Sequence, residues 1–174
     1  SGIVVLDEAY IEFSSRKSAI SWLAKYPNLI VLQTLSKAYG MAGLRIGIGA
    51  ASTEIAMLMN TIKGPYNVNS LSQKITLREL NDEKVFKENL EQILAEREFL
   101  KVQLNELDFV KKIYPTEANF FLIKVENPIE IYEFLLAQNI LTSLRHPQIE
   151  NALRINVGSK EENQKLIETL KNYQ

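Results

Sequence analysis

From position 34 the chain reads Thr34-Leu35-Ser36-Lys37-Ala38-Tyr39-Gly40-Met41-Ala42-Gly43-Leu44-Arg45-Ile46-Gly47. A lysine follows directly on an apolar run, with hydroxyls one and three residues before it and an arginine eight residues after it. An amine held there, partly desolvated and close to a second cation, binds its proton less tightly and becomes able to attack an aldehyde. Thr34, Ser36 and Arg45 carry the donors that suit a phosphate dianion, Arg45 offering a bidentate fork. Gly40 and Gly43 let the loop turn close to such a group. A second constellation, Asp7-Glu8-Ala9-Tyr10, ends an earlier apolar run. A carboxylate fixed there can pair with the protonated nitrogen of a heteroaromatic ring, and the Tyr10 phenol can donate to an oxygen on that ring. Taken one at a time these residues have a plainer reading: Lys37 and Arg45 as solvated loop charges, and Asp7, Thr34 and Ser36 as turn or cap residues. The pairing of Asp7 and Lys37 on successive strand ends favours the chemistry.

The elements that must place these groups follow from the pattern of apolar residues. Ile3–Leu6 and Leu29–Gln33 are short β-branched runs, as in strands buried on both faces of a parallel sheet. Between them Ile20, Trp22, Leu23 and Tyr26 recur at helical spacing until Pro27-Asn28 stops them, which predicts a helix over 18–26 and a β-α-β crossover. A third strand is expected over 45–51, its glycines marking close approach by a backbone or ligand. In open α/β sheets ligands gather at the carboxyl ends of the strands, where Asp7 and Lys37 fall. Helices are expected over 53–62 and 69–80, then a long one over 82–107 whose apolar face is Val85, Leu90, Ile93, Leu94, Phe99, Leu100 and Leu104 and whose charges form a solvated face. Strands near 110–114 and 119–125, a helix over 129–139, strands near 140–144 and 153–157 and a last helix over 160–173 complete a small α+β domain with helices on one face of its sheet. The predicted organisation is an α/β protein, with residues 1–82 forming part of a larger layered domain and residues 83–174 a small α+β domain led by the long bridging helix.

Composition narrows the functional classes. With 46% hydrophobic and 24% charged residues among 174, the chain can bury a sizeable core, and its net charge of −1 gives no field that would draw it to nucleic acid or an anionic membrane. Its apolar runs are far too short to span a bilayer. The absence of cysteine removes thiolate and disulfide chemistry and fits a reducing compartment such as the cytoplasm. One histidine, His146, precludes a multi-histidine metal site. Beside Pro147 it reads as an exposed loop residue. Trp22, Phe120 and Phe121 are assigned to packing. The first residues enter a core-strand pattern at once and read as a cut edge.

Several segments together resemble a known family. Val5-Leu6-Asp7-Glu8-Ala9-Tyr10, the stretch from Thr34 through Gly47, Pro65-Tyr66-Asn67-Val68-Asn69, Glu117-Ala118-Asn119-Phe120 and Leu153-Arg154-Ile155-Asn156-Val157-Gly158 look in order like the class II, fold-type I aminotransferases, and within them the histidinol-phosphate aminotransferases. The resemblance implies the C-terminal portion of an enzyme that uses pyridoxal 5'-phosphate (PLP), with part of the large domain followed by the small C-terminal domain. It implies that Lys37 links covalently to PLP and shuttles the proton, that Asp7 and Tyr10 face the ring nitrogen and 3-oxygen, and that Thr34, Ser36 and Arg45 hold the phosphate. Arg154 is the implied anchor for the substrate's carboxylate, although its residue type alone fits an interstrand salt bridge as well. Arg145 lies where the family often has a basic residue, but Ser143-Leu144-Arg145-His146-Pro147 departs from the family pattern and leaves its role open. The implied reaction exchanges an amino group between L-histidinol phosphate and 2-oxoglutarate, with glutamate as product, in a cytoplasmic homodimer. A threonine-phosphate decarboxylase, an aromatic aminotransferase and a non-catalytic scaffold are the competing readings. The residues present would bind PLP weakly and turn over poorly on their own, because family parts that complete the site have no counterpart in them.

Overall fold

A computed structural model describes residues 2–173. The chain divides into two compact units, Ser1–Glu88 and Asn89–Gln174.

In the first unit, β1 (Val4–Asp7), β2 (Leu29–Thr34) and β3 (Gly47–Ala51) form a three-stranded sheet in that order. β1 and β2 are parallel, with Val4 beside Leu29 and Asp7 beside Leu32. β3 returns antiparallel, setting Gly47 against Thr34 and Ala51 against Ile30. The carboxyl ends of β1 and β2 therefore share one edge with the amino end of β3. Only β2 has the burial expected of a central strand, Val31 being fully inaccessible. β1 departs from expectation, since Val4 and Val5 are 50% and 54% exposed. It is an edge strand, and no described residue covers its outer side. The connection from β1 to β2 also differs: residues 18–26 contain one 3-10 turn, Ala19–Trp22, rather than an α-helix. Ser18 caps that turn by accepting from Ile20 N, and Trp22 and Tyr26 stay exposed; of the helically spaced residues only Leu23 packs on the small cluster of Ala19, Leu29 and Val31. Trp22 is accordingly not a core residue. The β3 glycines are not sterically demanded either, because a Cβ at Gly47 or Gly49 would make ordinary contacts at 3.6 to 3.8 Å.

α1 (Thr53–Ile62) and α2 (Ser70–Leu80) follow, with N-caps Ser52 and Asn69 accepting from the backbone N–H groups of Ile55 and Ser72. α3 (Glu83–Asn105) begins in the first unit and continues into the second. Of its apolar face only Leu100 and Leu104 are fully buried. No helix among the described residues is long and apolar enough to cross a membrane.

The second unit is an antiparallel sheet of order β4-β5-β7-β6, formed by Val110–Ile113, Phe120–Val125, Ala152–Asn156 and Ser143–Leu144, with α4 (Pro128–Ala137) between β5 and β6 and α5 (Lys160–Lys171) last. β5 alternates strictly: Phe121, Ile123 and Val125 are buried while Phe120, Leu122 and Lys124 lie on the other face. The buried set joins Leu153 and Ile155 of β7, Ile131 and Leu135 of α4, and Leu166, Ile167 and Leu170 of α5 in one core. A capping box at Ser159 and Glu162 starts α5. Asn163, 1% exposed, ties α5 to α3 by donating to Glu96 Oε2 at 2.9 Å. Phe121→Ala is expected to destabilise the protein by about 3–5 kcal/mol, the cost of emptying a closed core site, and urea denaturation measures it.

Candidate active site

The register of the first sheet brings six of the seven singled-out residues to one edge. Asp7 ends β1 and Tyr10 follows it; Thr34 ends β2, with Ser36 and Lys37 in the next turn; Arg45 sits just before β3. Arg154 lies in β7 of the second unit.

The turn carrying Lys37 is built from its own backbone. Gly40 N donates to Lys37 O at 3.0 Å and Met41 N to Leu35 O at 2.9 Å. Gly40 has φ +66°, a left-handed conformation that suits glycine, whereas Gly43 has open space and no such requirement. The second left-handed position is Arg45 itself, φ 58° and ψ 44°, where a non-glycine residue costs roughly 1 kcal/mol. Its Nη1 donates to Ala42 O at 3.0 Å, which folds the side chain back over the turn.

Thr34 Oγ1 accepts from Ser36 N at 3.1 Å and points its proton to Ile46 O at a long 3.4 Å. That hydroxyl braces the turn against the entry to β3, and only its weak outer bond is available for exchange. Asp7 Oδ1 accepts from Ala9 N at 2.9 Å. The Lys37 ammonium, Ser36 Oγ, the second Arg45 amino group and Asp7 Oδ2 have no hydrogen-bond or ion-pair partner among the described residues. Lys37 Nζ lies 5.4 Å from the centroid of the Tyr10 ring, a cation–π approach. Lys37 is exposed, so the desolvation expected of it is not supplied by the described residues. One sheet edge thus presents an amine, a carboxylate, a hydroxyl and a guanidinium with unused capacity, a set able to hold an anionic, nitrogen-containing aldehyde.

Glu8 emerges as a residue that motif reading passed over. Its carboxylate accepts from Ser18 Oγ at 2.6 Å, Ala19 N at 2.7 Å and Gln33 Nε2 at 3.0 Å, fastening the end of β1 to β2 and to the 3-10 turn. These partners lie 10, 11 and 25 residues away in sequence, and only the parallel register brings Gln33 alongside. Burial alone raises the Glu8 pKa, but the three hydrogen bonds outweigh it and the net shift is downward. A depressed carboxylate contributes stability in full above its unfolded pKa and loses it as pH falls through the folded one. Glu8→Ala is expected to cost about 2 kcal/mol at neutral pH, with the gap to the parent closing under acid conditions. Denaturant titration at neutral and at acid pH tests both parts. Glu12 has the opposite sign: burial first, and then the charge of Glu8, raise its pKa, and its Oε2 is buried with no hydrogen bond. Tyr39 is raised by burial and by Glu12 and Glu83, and its ring stacks on Phe86 at 4.3 Å.

In the second unit Arg154 pairs with Leu122 and Ser143 across the sheet, on the face away from the core. The salt-bridge alternative is not realised: no described carboxylate partners it. Its Nε is buried without a hydrogen bond, and its Cζ lies 3.9 Å from the centroid of Phe120. Phe120 is therefore not simple packing, while Phe121 is. His146 is half-buried rather than exposed, its Nδ1 accepting from Asn151 N at 3.3 Å to close a local turn.

The sequence model of the family described as aminotransferase class I and II matches residues 1–170. The chain belongs to that family. Similar curated aminotransferases include the histidinol-phosphate aminotransferase of Flavobacterium psychrophilum, 47% identical over 173 residues, covering 98% of this chain and 50% of the relative. That of Christiangramia forsetii is 48% identical over 173 residues, with 98% and 49% covered. Among solved structures, the histidinol-phosphate aminotransferase from Clostridium acetobutylicum superposes with a TM-score of 0.89 at 27% identity, covering 98% of this chain and 53% of that one. The chain thus spans about half the length of the curated relatives it matches. Its fold is that of the fold-type I PLP transferases, part of the large domain followed by a small α+β domain.

Proposed function

We propose that these residues are the lysine-bearing, C-terminal portion of a PLP-dependent aminotransferase that acts on L-histidinol phosphate with 2-oxoglutarate, as a cytoplasmic homodimer. The observation that carries the reading is the sheet edge on which Asp7, Ser36, Lys37 and Arg45 gather with polar atoms left unused. PLP fits this donor set, since an aldehyde, a phosphate dianion and a basic ring nitrogen need an amine, hydroxyl and guanidinium donors, and a carboxylate.

When bound, PLP supplies an aldehyde for the amino group and a cationic ring that draws electrons from the substrate carbon. Lys37 Nζ is the amine that would hold the cofactor at its aldehyde, and it is the base placed to take up and return the proton of the substrate carbon. Asp7 would pair with the ring nitrogen through the oxygen that Ala9 N does not occupy, which would keep that nitrogen protonated. Ser36 and Arg45 grip the phosphate; Thr34 orients the Ser36 backbone and can release its long bond to Ile46 to join them. Tyr10 presents its phenol to the 3-oxygen and its ring face to Lys37. Arg154 takes a carboxylate of 2-oxoglutarate or glutamate, a planar anion matched to its fork. A dimer is supported by the exposed apolar side chains of α1 and α2, among them Met57, Leu58, Ile62, Leu71 and Leu77, each at least 66% exposed.

The test is a substrate panel on the full-length protein with PLP. Transfer from histidinol phosphate to 2-oxoglutarate faster than from any aromatic amino acid is expected. Preferred turnover of an aromatic amino donor, or carbon dioxide release from O-phosphothreonine, would overturn the substrate assignment, and no turnover of any substrate would favour a scaffold.

A further inference from the structure

Arg154 has features that a structural arginine lacks. Its Nε is buried and makes no hydrogen bond, no described carboxylate neutralises it, and its Cζ lies over the Phe120 ring, 3.9 Å from the centroid. The sheet explains the last point. Phe120 stands opposite Asn156 and Leu122 opposite Arg154, so Phe120 and Arg154 are diagonal neighbours on the face away from the core, within reach of long side chains. A guanidinium carbon this close over a ring is closed to anions from the ring side. Its remaining donors lie in its own plane, the direction from which a flat two-oxygen anion forms two parallel hydrogen bonds.

We propose that Phe120 is a positioning residue: its ring is the platform that fixes the plane of Arg154 and so selects substrates whose carboxylate arrives edge-on. This rests on the reading of Arg154 as the carboxylate anchor. The ring does not touch the reacting atoms; it keeps a flexible side chain in the one orientation that binds, and its quadrupole compensates a cation left without a carboxylate. Without the platform the arginine must be ordered by the substrate itself, and binding weakens by that cost.

The experiment uses the full-length holoenzyme and four proteins: parent, Phe120→Leu, Phe120→Tyr and Arg154→Gln. Two quantities are read, the kcat and KM for 2-oxoglutarate and the calorimetric Kd of succinate, a dicarboxylate with no keto group to react. For Phe120→Leu, KM and the succinate Kd are expected to rise by about 10-fold, the loss of a partly desolvated cation–π contact, with kcat within about 2-fold of the parent. Phe120→Tyr keeps an aromatic face and is expected to restore both. If Phe120→Leu binds succinate like the parent while Arg154→Gln does not, the platform role is wrong and the anchor reading stands. If Arg154→Gln itself binds succinate like the parent, the anchor reading fails first. A fall in kcat and thermal midpoint with no change in succinate affinity would assign Phe120 to packing alone.

Discussion

Full-length protein carrying Lys37→Ala is expected to lose turnover by on the order of 10⁴-fold, because one change removes both the group that holds the aldehyde and the group that moves the proton. Lys37→Arg should lose as much, since a guanidinium keeps the charge but cannot act as a nucleophile. This comparison separates chemistry from electrostatics. Lys37 has a ring beside it and no ion pair to lose, so neither variant should shift the thermal midpoint of the cofactor-free protein appreciably. Stopped-flow turnover, together with the amount of cofactor retained after borohydride treatment and unfolding, checks the result. Normal turnover in Lys37→Ala would falsify the enzyme reading at its root.

The second large effect belongs to Arg154. Replacing it with glutamine removes a charge-assisted pair of hydrogen bonds, and the KM for 2-oxoglutarate is expected to rise roughly 10²-fold. Arg154→Lys keeps the charge but loses the planar fork, so an intermediate rise is expected. Fold stability should hold or improve slightly in the glutamine variant, because Arg154 is a half-buried cation whose Nε is buried without a hydrogen bond and which has no carboxylate partner. A loss of stability as large as the loss of affinity would mean that the side chain is structural. Steady-state kinetics and thermal melts on the same preparations decide between them.

The candidate site was legible from the sequence where apolar strands end in chemically unusual residues. The apolar run of β2 followed by a lysine, and that of β1 followed by an aspartate, place both groups at strand ends without any knowledge of pairing. Strand direction was not legible. Residues 45–51 read as a strand, but only the observed register shows that β3 runs back against β2 and carries Arg45 to the edge that holds Lys37. The stretch over 18–26 has helical spacing but little for an apolar face to pack on; Trp22 and Tyr26 are exposed. Glu8 was hidden beside Asp7, although two adjacent carboxylates at a strand end should have raised the question of what the second one does. Phe120 had a readable signal, since alternation in β5 puts Phe120 and Phe121 on opposite faces and only one of them can be core.

Among the described residues β1 has a neighbour on one side only, and its Val4 and Val5 side chains are half exposed. Such a border is an unfinished hydrogen-bond template, ready to accept whatever extended backbone arrives first. A polypeptide of just these 174 residues should therefore self-associate at the concentrations of ordinary purification. Its behaviour on a sizing column would report on the hunger of that border for a companion strand, independently of whether any vitamin-derived ligand is present.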